Sequence, residues 1–207
     1  GGDDAKIANL YNAMMDEAAI NKLDVAPLAP SLAAIRNIKT KPQMAAWMGK
    51  TSGEFGASFF NGYVDGDAKD PKINVLYLGQ SGLGLPDRDY YLQASFAEKK
   101  AKYEAYVTKM LIMVGYPNAV QSAKDIVALE TKIAEVSWTR IDRRDDTKTY
   151  NPMTPAELAK YAPAFEWKAY FEGADLTKAK KIIVSENTAF PKIAQIYADT
   201  PLDTLKA

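Results

Sequence analysis

Histidine and cysteine are both absent from this chain of 207 residues, and each absence removes a class of chemistry. Without cysteine there is no thiolate nucleophile and no disulfide scaffold, although the lack is compatible with any redox compartment. Without histidine there is no histidine-dependent triad. There is also no imidazole for a catalytic metal, which ordinarily takes three nitrogen, oxygen or sulfur ligands and keeps one position open for water. An excess of one charge is lacking too. The 26 Lys plus Arg balance 26 Asp plus Glu, and no block of like charges supplies the basic surface that nucleic acid requires. The densest basic run, KAKK at Lys178 to Lys181, reads as a solvated face. No window approaches the length of apolar sequence that spans a bilayer, so no membrane contact is expected. The start, GGDDAKIANLY, lacks the basic and apolar regions of a signal peptide. Internal repeats and low-complexity linkers are missing as well.

What is there is a chain with 47% hydrophobic residues, enough for one or two cores and for burial of roughly 70% of its unfolded surface. Most of it carries helical periodicity. Ile7, Leu10, Tyr11, Met14 and Ala18 recur at three- and four-residue intervals, which predicts a half-buried helix from about Asp4 to Ile20. Ser31 is placed to cap a short helix, Pro42 to sit in the first turn of another ending near Lys50, and Ser52 to begin a third. Ser95 and Glu98 have the spacing of a capping box before a helix running to about Val114, which Gly115 ends. A second long helix is expected from Ala119 to Trp138, packed against the first. Thr154, Pro155 and Glu157 open a further helix that Pro163 stops. A turn or two is expected at Glu166 to Phe171, a short extended segment at Ile182 to Val184, and a helix at Phe190 to Tyr197. Thr200, Pro201 and Asp203 are the start signature of one more helix close to the last residue, which suggests a chain interrupted inside a larger protein.

In the first half of the chain the period changes in one place. Phe59 to Tyr63 and the alternating Ile73, Val75, Tyr77 flank the turn-rich DGDAKDP, which predicts a small β-hairpin. The expected fold is therefore mainly α, a single multi-helical lobe over residues 1–207 with one small hairpin. The acidic turn is not a calcium loop: Lys69 and Asp70 fall where a ligand and the turn glycine belong, and Leu76 replaces the closing glutamate. It reads as a solvated turn. The glycines at Gly79, Gly82 and Gly84 likewise miss the spacing of a phosphate loop and of a nucleophile elbow.

Two segments concentrate chemistry. In QSGLGLPDRDYY, Gln80 to Tyr91, glycines and a proline impose an irregular turn and are followed by Arg88, Asp89, Tyr90 and Tyr91. A five-donor cation, a carboxylate and two phenols thus stand against a loop that cannot form its own hydrogen-bond ladder. They serve either as a structural clamp or as contacts to a ligand. The second segment is Arg143, Arg144, Asp145 and Asp146, with Tyr150 and Asn151 after it. Its neighbouring arginines cannot face one partner from a helix, so they bridge separate surfaces or line a cavity. No residue in the chain earns a catalytic role.

The Gln80 to Tyr91 segment resembles the characteristic loop of the neprilysin and endothelin-converting-enzyme family of zinc metalloendopeptidases. Further matches follow in the family's order: LYNAMMDEAAI at Leu10 to Ile20, PLAPSLAAI at Pro27 to Ile35, ALETKIAEVSW at Ala128 to Trp138, RRDDTKTYNPMT at Arg143 to Thr154, and TPLDTLKA at Thr200 to Ala207. The resemblance implies the amino-terminal helical lobe of a larger, two-lobed peptidase of the bacterial oligoendopeptidase O type. It also implies that zinc in the complete enzyme is bound by residues outside this chain, because the family's signature of two histidines around a glutamate has no counterpart here. This chain alone is then inactive, and its partners are peptides and a complementary catalytic segment, covalent or nicked. The segment in which the family's arginines hold the peptide's carboxyl end is also missing, so Arg88, Arg143 and Arg144 do not inherit that role. The lack of cysteine fits bacterial members better than the disulfide-bonded animal ones; the resemblance favours the bacterial periplasm or secretion and leaves the cytoplasm open. The competing reading is a stand-alone helical peptide-binding or inhibitor module without activity.

Overall fold

Thirty-seven residues at the start of the chain form one unit and the rest form another, Gly1–Asn37 and Ile38–Ala207. The computed structural model describes residues 2–53 and 58–207.

In the first unit the helix expected from Asp4 to Ile20 is two helices, α1 (Asp3–Met15) and α2 (Glu17–Leu23). Asp16 interrupts them because its carboxylate accepts the Ala19 N–H at 2.9 Å and so caps a new start. The unit continues through a 3₁₀ turn at Ala26–Leu28 into α3 (Ala29–Asn37). Ser31 lies inside α3 and does not cap it, since the turn ahead feeds straight into the helix. The expected half-burial is not found: none of residues 2–37 is buried.

The second unit is built on an aromatic core. Phe60 lies 4.9, 4.6 and 4.7 Å from the rings of Phe165, Trp167 and Phe190, and Tyr170 and Tyr197 are equally buried. The chain enters this unit through α4 (Lys41–Thr51), with Pro42 in its first turn and Thr40 capping it. Ser52 closes that helix by donating to the Gly49 carbonyl at 2.8 Å and does not open a new one. The helix expected after Ser52 falls partly on residues 54–57, outside the described residues. The predicted hairpin is longer than its sequence signal, β1 (Phe60–Asp67) and β2 (Asp70–Gln80), and is half of a four-stranded sheet.

Its order is β1-β2-β4-β3, with β3 (Asn151–Met153) and β4 (Ile182–Val184) completing the sheet. β4 runs parallel to β2, pairing Leu76 with Ile182 and Leu78 with Val184. Those four side chains line the core face beside Phe60. On the outer edge, Gly62 and Gly66 donate their N–H groups to the side chains of Asn61 and Asp65 at 2.8 and 2.7 Å. An edge whose amides are already occupied is a poor template for another strand.

α5 (Asp89–Leu92), α6 (Ala97–Met113) and α7 (Ala119–Val136) follow the glycine loop. The capping box expected at Ser95 and Glu98 does not form, because Ser95 sits within a 3₁₀ turn, Ala94–Phe96, that leads into α6. Gly115 does end α6. At φ +65 it allows the Tyr116 N–H to reach the Leu111 carbonyl and its own N–H to reach that of Ile112, satisfying carbonyls the helix would leave open. α6 and α7 pack through Leu111, Ala119 and Ala123. The last helices are α8 (Pro155–Tyr161), with the expected Thr154 and Glu157 capping box, α9 (Trp167–Gly173), α10 (Phe190–Asp199) and α11 (Leu202–Lys206). The chain is thus mainly α with one small mixed sheet, as expected. Among the described residues no helix is long and apolar enough to cross a membrane.

Candidate functional site

The glycine loop is held from below by one carboxylate. Glu130, on the inner face of α7, accepts the hydroxyls of Tyr91 and Tyr103 at 2.7 and 3.0 Å. The Tyr91 oxygen in turn accepts the Leu85 N–H at 2.8 Å. Burial pushes Glu130 above its ordinary value of 4.5, although both tyrosine hydrogen bonds favour the ionised form. Burial and then the Glu130 charge raise both phenols. Gly84 explains why the loop needs glycine there: a Cβ would collide with the Tyr103 hydroxyl. Gly82 adopts φ +92, which side-chain-bearing residues rarely tolerate.

Among the described residues Arg88 makes no ion pair with a carboxylate. Its Nε donates to the Ala134 carbonyl at 3.0 Å and one terminal nitrogen to that of Glu135 at 3.4 Å. These belong to the last turn of α7, where carbonyls lack helical partners and a cation is favoured. Asp89 begins α5, and its N–H is held by Asp87 at 3.1 Å. Tyr90 stacks on Phe96 at 4.3 Å, with the Lys99 ammonium 5.5 Å from its ring.

Beyond the loop stand two ion pairs of the same design, each with a buried carboxylate and a half-exposed arginine. Asp87 receives Arg140 Nε at 3.0 Å, and Glu186 receives Arg143 Nε at 2.9 Å. Glu186 also accepts the Gln80 N–H at 2.8 Å and lies over Gly79, where a Cβ would stand only 3.2 Å from a carboxylate oxygen. The Gln80 side chain both donates to the Trp138 carbonyl and accepts from its N–H, at 3.2 and 2.7 Å. This ties the glycine loop to the segment after α7. Between the two lies a pocket of about 150 Å³ whose lining includes Gln80, Leu85, Arg88, Trp138 and Arg143.

Of the two arginines singled out together, Arg143 reaches this pocket, whereas Arg144 is exposed and makes no ion pair among the described residues. Asp145 accepts the Thr147 N–H and hydroxyl at 3.0 and 2.6 Å and approaches Lys148 at 3.7 Å. It shapes its own turn and does not approach the loop arginine through any ion pair. Arg88 and Arg143 are therefore brought to one pocket, while Arg144 and Asp145 are not among its lining residues.

The acidic turn and the basic run are largely solvated, with Asp65, Asp70, Lys178 and Lys180 exposed, but each departs from that at one residue. Asp67, from the acidic turn, is 1% exposed. It accepts the Tyr150 hydroxyl at 2.7 Å, the Lys69 N–H at 2.9 Å and the ammonium of Lys181, from the basic run. The Lys181 hydrogen bond is the main reason that the Asp67 carboxyl is held far below its ordinary value, and Lys181 is raised in return. Glu130, Arg140 and Glu186 were not among the candidates the sequence offered. Glu130 carries a readable signal, a carboxylate on the apolar stripe that Ile126 and Ile133 define. Glu186 follows the buried strand Ile182–Val184, which is a weaker one.

Among the described residues no group of three or more histidine, cysteine or acidic side chains could hold a metal ion, and the chain has no histidine or cysteine at all. The residues present do not fit a catalytic zinc site. The family model described as Peptidase family M13, in its amino-terminal part, matches residues 1–207. The chain belongs to this family. M13 comprises the neprilysin-like zinc metallopeptidases, and similarity to individual members extends along nearly the whole chain. It is 29% identical to endothelin-converting enzyme 1 of Cavia porcellus over 92% of its own length and 27% of that protein's. The human enzyme gives 29% identity, with 26% of that protein covered. Among solved structures, the zinc metalloprotease Zmp1 of Mycobacterium tuberculosis, in complex with an inhibitor, superposes with a TM-score of 0.89 at 29% identity. The match covers 97% of this chain and 31% of Zmp1. PepO from Lactobacillus rhamnosis shares the fold with a TM-score of 0.70 at 19% identity. The M13 chain thus spans roughly a quarter to a third of the length of these relatives.

Proposed function

We propose that residues 1–207 form the non-catalytic helical lobe of a neprilysin-like zinc metalloendopeptidase and wall the chamber in which peptides are cut. The carrying observation is the family match over the whole chain in a sequence without a single histidine. Zinc and the groups that activate water would be supplied by a complementary segment of the same protein, covalent or nicked. Support for such a segment comes from α1, whose Ile7, Leu10 and Met14 share one helix face and are 68%, 64% and 68% exposed. Apolar stripes of this kind are covered in finished proteins. The Gln80 to Tyr91 loop and the Arg143 segment would give the wall its shape, with Arg88, Asp89 and Tyr90 fixing the loop.

Mixing the purified chain with the remainder of its full-length protein tests this. The chain alone should bind no stoichiometric zinc and cleave no peptide, while the mixture should show chelator-sensitive peptidase activity. Peptide cleavage by the chain alone would overturn the reading. A remainder equally active without this chain would leave only a stand-alone binding module.

A further inference from the structure

We propose that the pocket beside the glycine loop is a subsite for a peptide carboxylate, gripped by the outward edge of the Arg143 guanidinium. It deepens the chamber-wall reading and rests on it for the choice of a peptide as ligand.

Arg143 reaches Glu186 through Nε alone. Glu186 is 3% exposed and its other oxygen is taken by the Gln80 N–H, so both oxygens of the anchor are occupied, and it is not among the pocket's lining residues. A guanidinium is planar and rigid, so holding Nε also sets the direction of the two terminal nitrogens. Neither has a partner among the described residues, and the side chain is 46% exposed. That free edge matches the two oxygens of a carboxylate. Arg140 repeats the arrangement on Asp87, whose second oxygen is held by the Asp89 N–H.

The pocket supplies the rest of the fit. At about 150 Å³ it has room for a side chain and exceeds by far what a single water needs, roughly 10–15 Å³. Leu83, Leu85 and Trp138 offer apolar wall to methylene groups beside the guanidinium. Nearby acidic groups are already engaged: Asp87, which lines the pocket, is buried with its oxygens held by Arg140 and the Asp89 N–H. Asp142, close enough for Arg88 to lower its pKa, is held first by Thr139 and Lys148. Because positive and negative charges balance around the pocket, attraction is short-ranged and directional. Selectivity therefore falls on a carboxylate over its amide, which would set two donors facing each other.

The test is a titration of the 207-residue chain followed by the indole N–H signal of Trp138, assigned with Trp138→Phe. The probes are acetyl-Ala-Glu-Ala-amide, acetyl-Ala-Gln-Ala-amide and acetyl-Ala-Ala-Ala with a free carboxyl end. A carboxylate-bearing probe should shift the signal saturably and the glutamine probe should not. Response to the glutamate probe assigns the site to an acidic side chain, and response to the free end alone assigns it to the terminus. Arg143→Gln should weaken binding on the order of ten-fold, about 1.4 kcal/mol. Should that variant unfold because Glu186 loses its partner, Arg143→Lys keeps a cation on Glu186 without the planar edge and should weaken binding similarly. Equal response to the glutamate and glutamine probes, or no response to any, overturns the proposal, as does unchanged affinity in the lysine variant. None of these results touches the complementation experiment, so the wall reading can stand while the subsite falls.

Discussion

The two units of this chain carry similar helical periodicity and opposite degrees of burial. α1 sets Ile7, Leu10 and Met14 on one face, and all are more than half exposed. α10 sets Phe190, Ile193, Ala194 and Tyr197 on one face, and all are buried. A hydrophobic stripe states which side of a helix wants a partner, and says nothing about whether that partner lies in the same segment of chain. In the second unit the partner is an aromatic cluster gathered from residues as distant as Phe60 and Phe190.

The sharpest way to break this comparison is to truncate one large side chain in each unit. Phe60→Ala should cost about 3–5 kcal/mol, because it leaves a cavity amid three aromatic rings. Leu10→Ala should change the chain's stability by less than about 0.5 kcal/mol. Thermal unfolding of the two variants checks both. In the full-length protein Leu10→Ala should become costly, about 2–4 kcal/mol, if the complementary segment covers α1.

Next in size are the glycines that let α4 and α9 approach closely. A Cβ on Gly49 would strike the Tyr170 carbonyl, and one on Gly173 would strike that of Ala46. Gly49→Ala should therefore cost about 1–3 kcal/mol through helix displacement, whereas Gly2→Ala, with open space around it, should be neutral. Denaturant unfolding midpoints measure the contrast.

Glu130→Ala should follow, at about 1–3 kcal/mol, since the Tyr91 and Tyr103 hydroxyls lose their acceptor. Because burial raises Glu130 above 4.5, its ionisation opposes folding. That contribution weakens stability as pH rises from 4.5 through the elevated value, and Glu130→Gln should remove this slope.

The smallest effect expected is at the Asp67 and Lys181 pair. The hydrogen bond from Lys181 holds Asp67 below its ordinary 3.8, so its stabilisation is complete above pH 3.8 and is lost as pH falls toward the depressed value. The reciprocal bond holds Lys181 above 10.5, so that contribution is complete below pH 10.5 and is lost as pH rises through the elevated value. Asp67→Asn should flatten both limbs of the melting temperature against pH, and unchanged limbs would mean that other groups control them.

Local signals were legible wherever neighbouring residues complete the structure by themselves. Thr154 and Glu157 cap each other across one turn, and Gly115 closes α6 through bonds no more than five residues long. Signals failed where a local pattern had a competitor. Ser95 fell into a 3₁₀ turn, and Asp16 capped a new helix in the middle of an apolar stripe. In the candidate site, Arg88 and Arg143 could be picked out by type and neighbourhood. Their partners could not, because Ala134 and Glu186 lie 46 and 43 residues away.

Composition and pattern by themselves determined the mainly helical class, the hairpin and the lack of the side chains that a catalytic zinc requires, while the family was reached through the resemblance of whole segments. These depend on residue identity and on spacings within a turn or two. Only the tertiary structure decided that the hairpin belongs to a four-stranded sheet, that Asp67 is buried against a partly exposed Lys181, and that the Arg88 guanidinium serves a helix end. Each of those outcomes depends on which distant segment arrives to satisfy a charge, a carbonyl or a strand edge, and short-range sequence carries no record of that meeting.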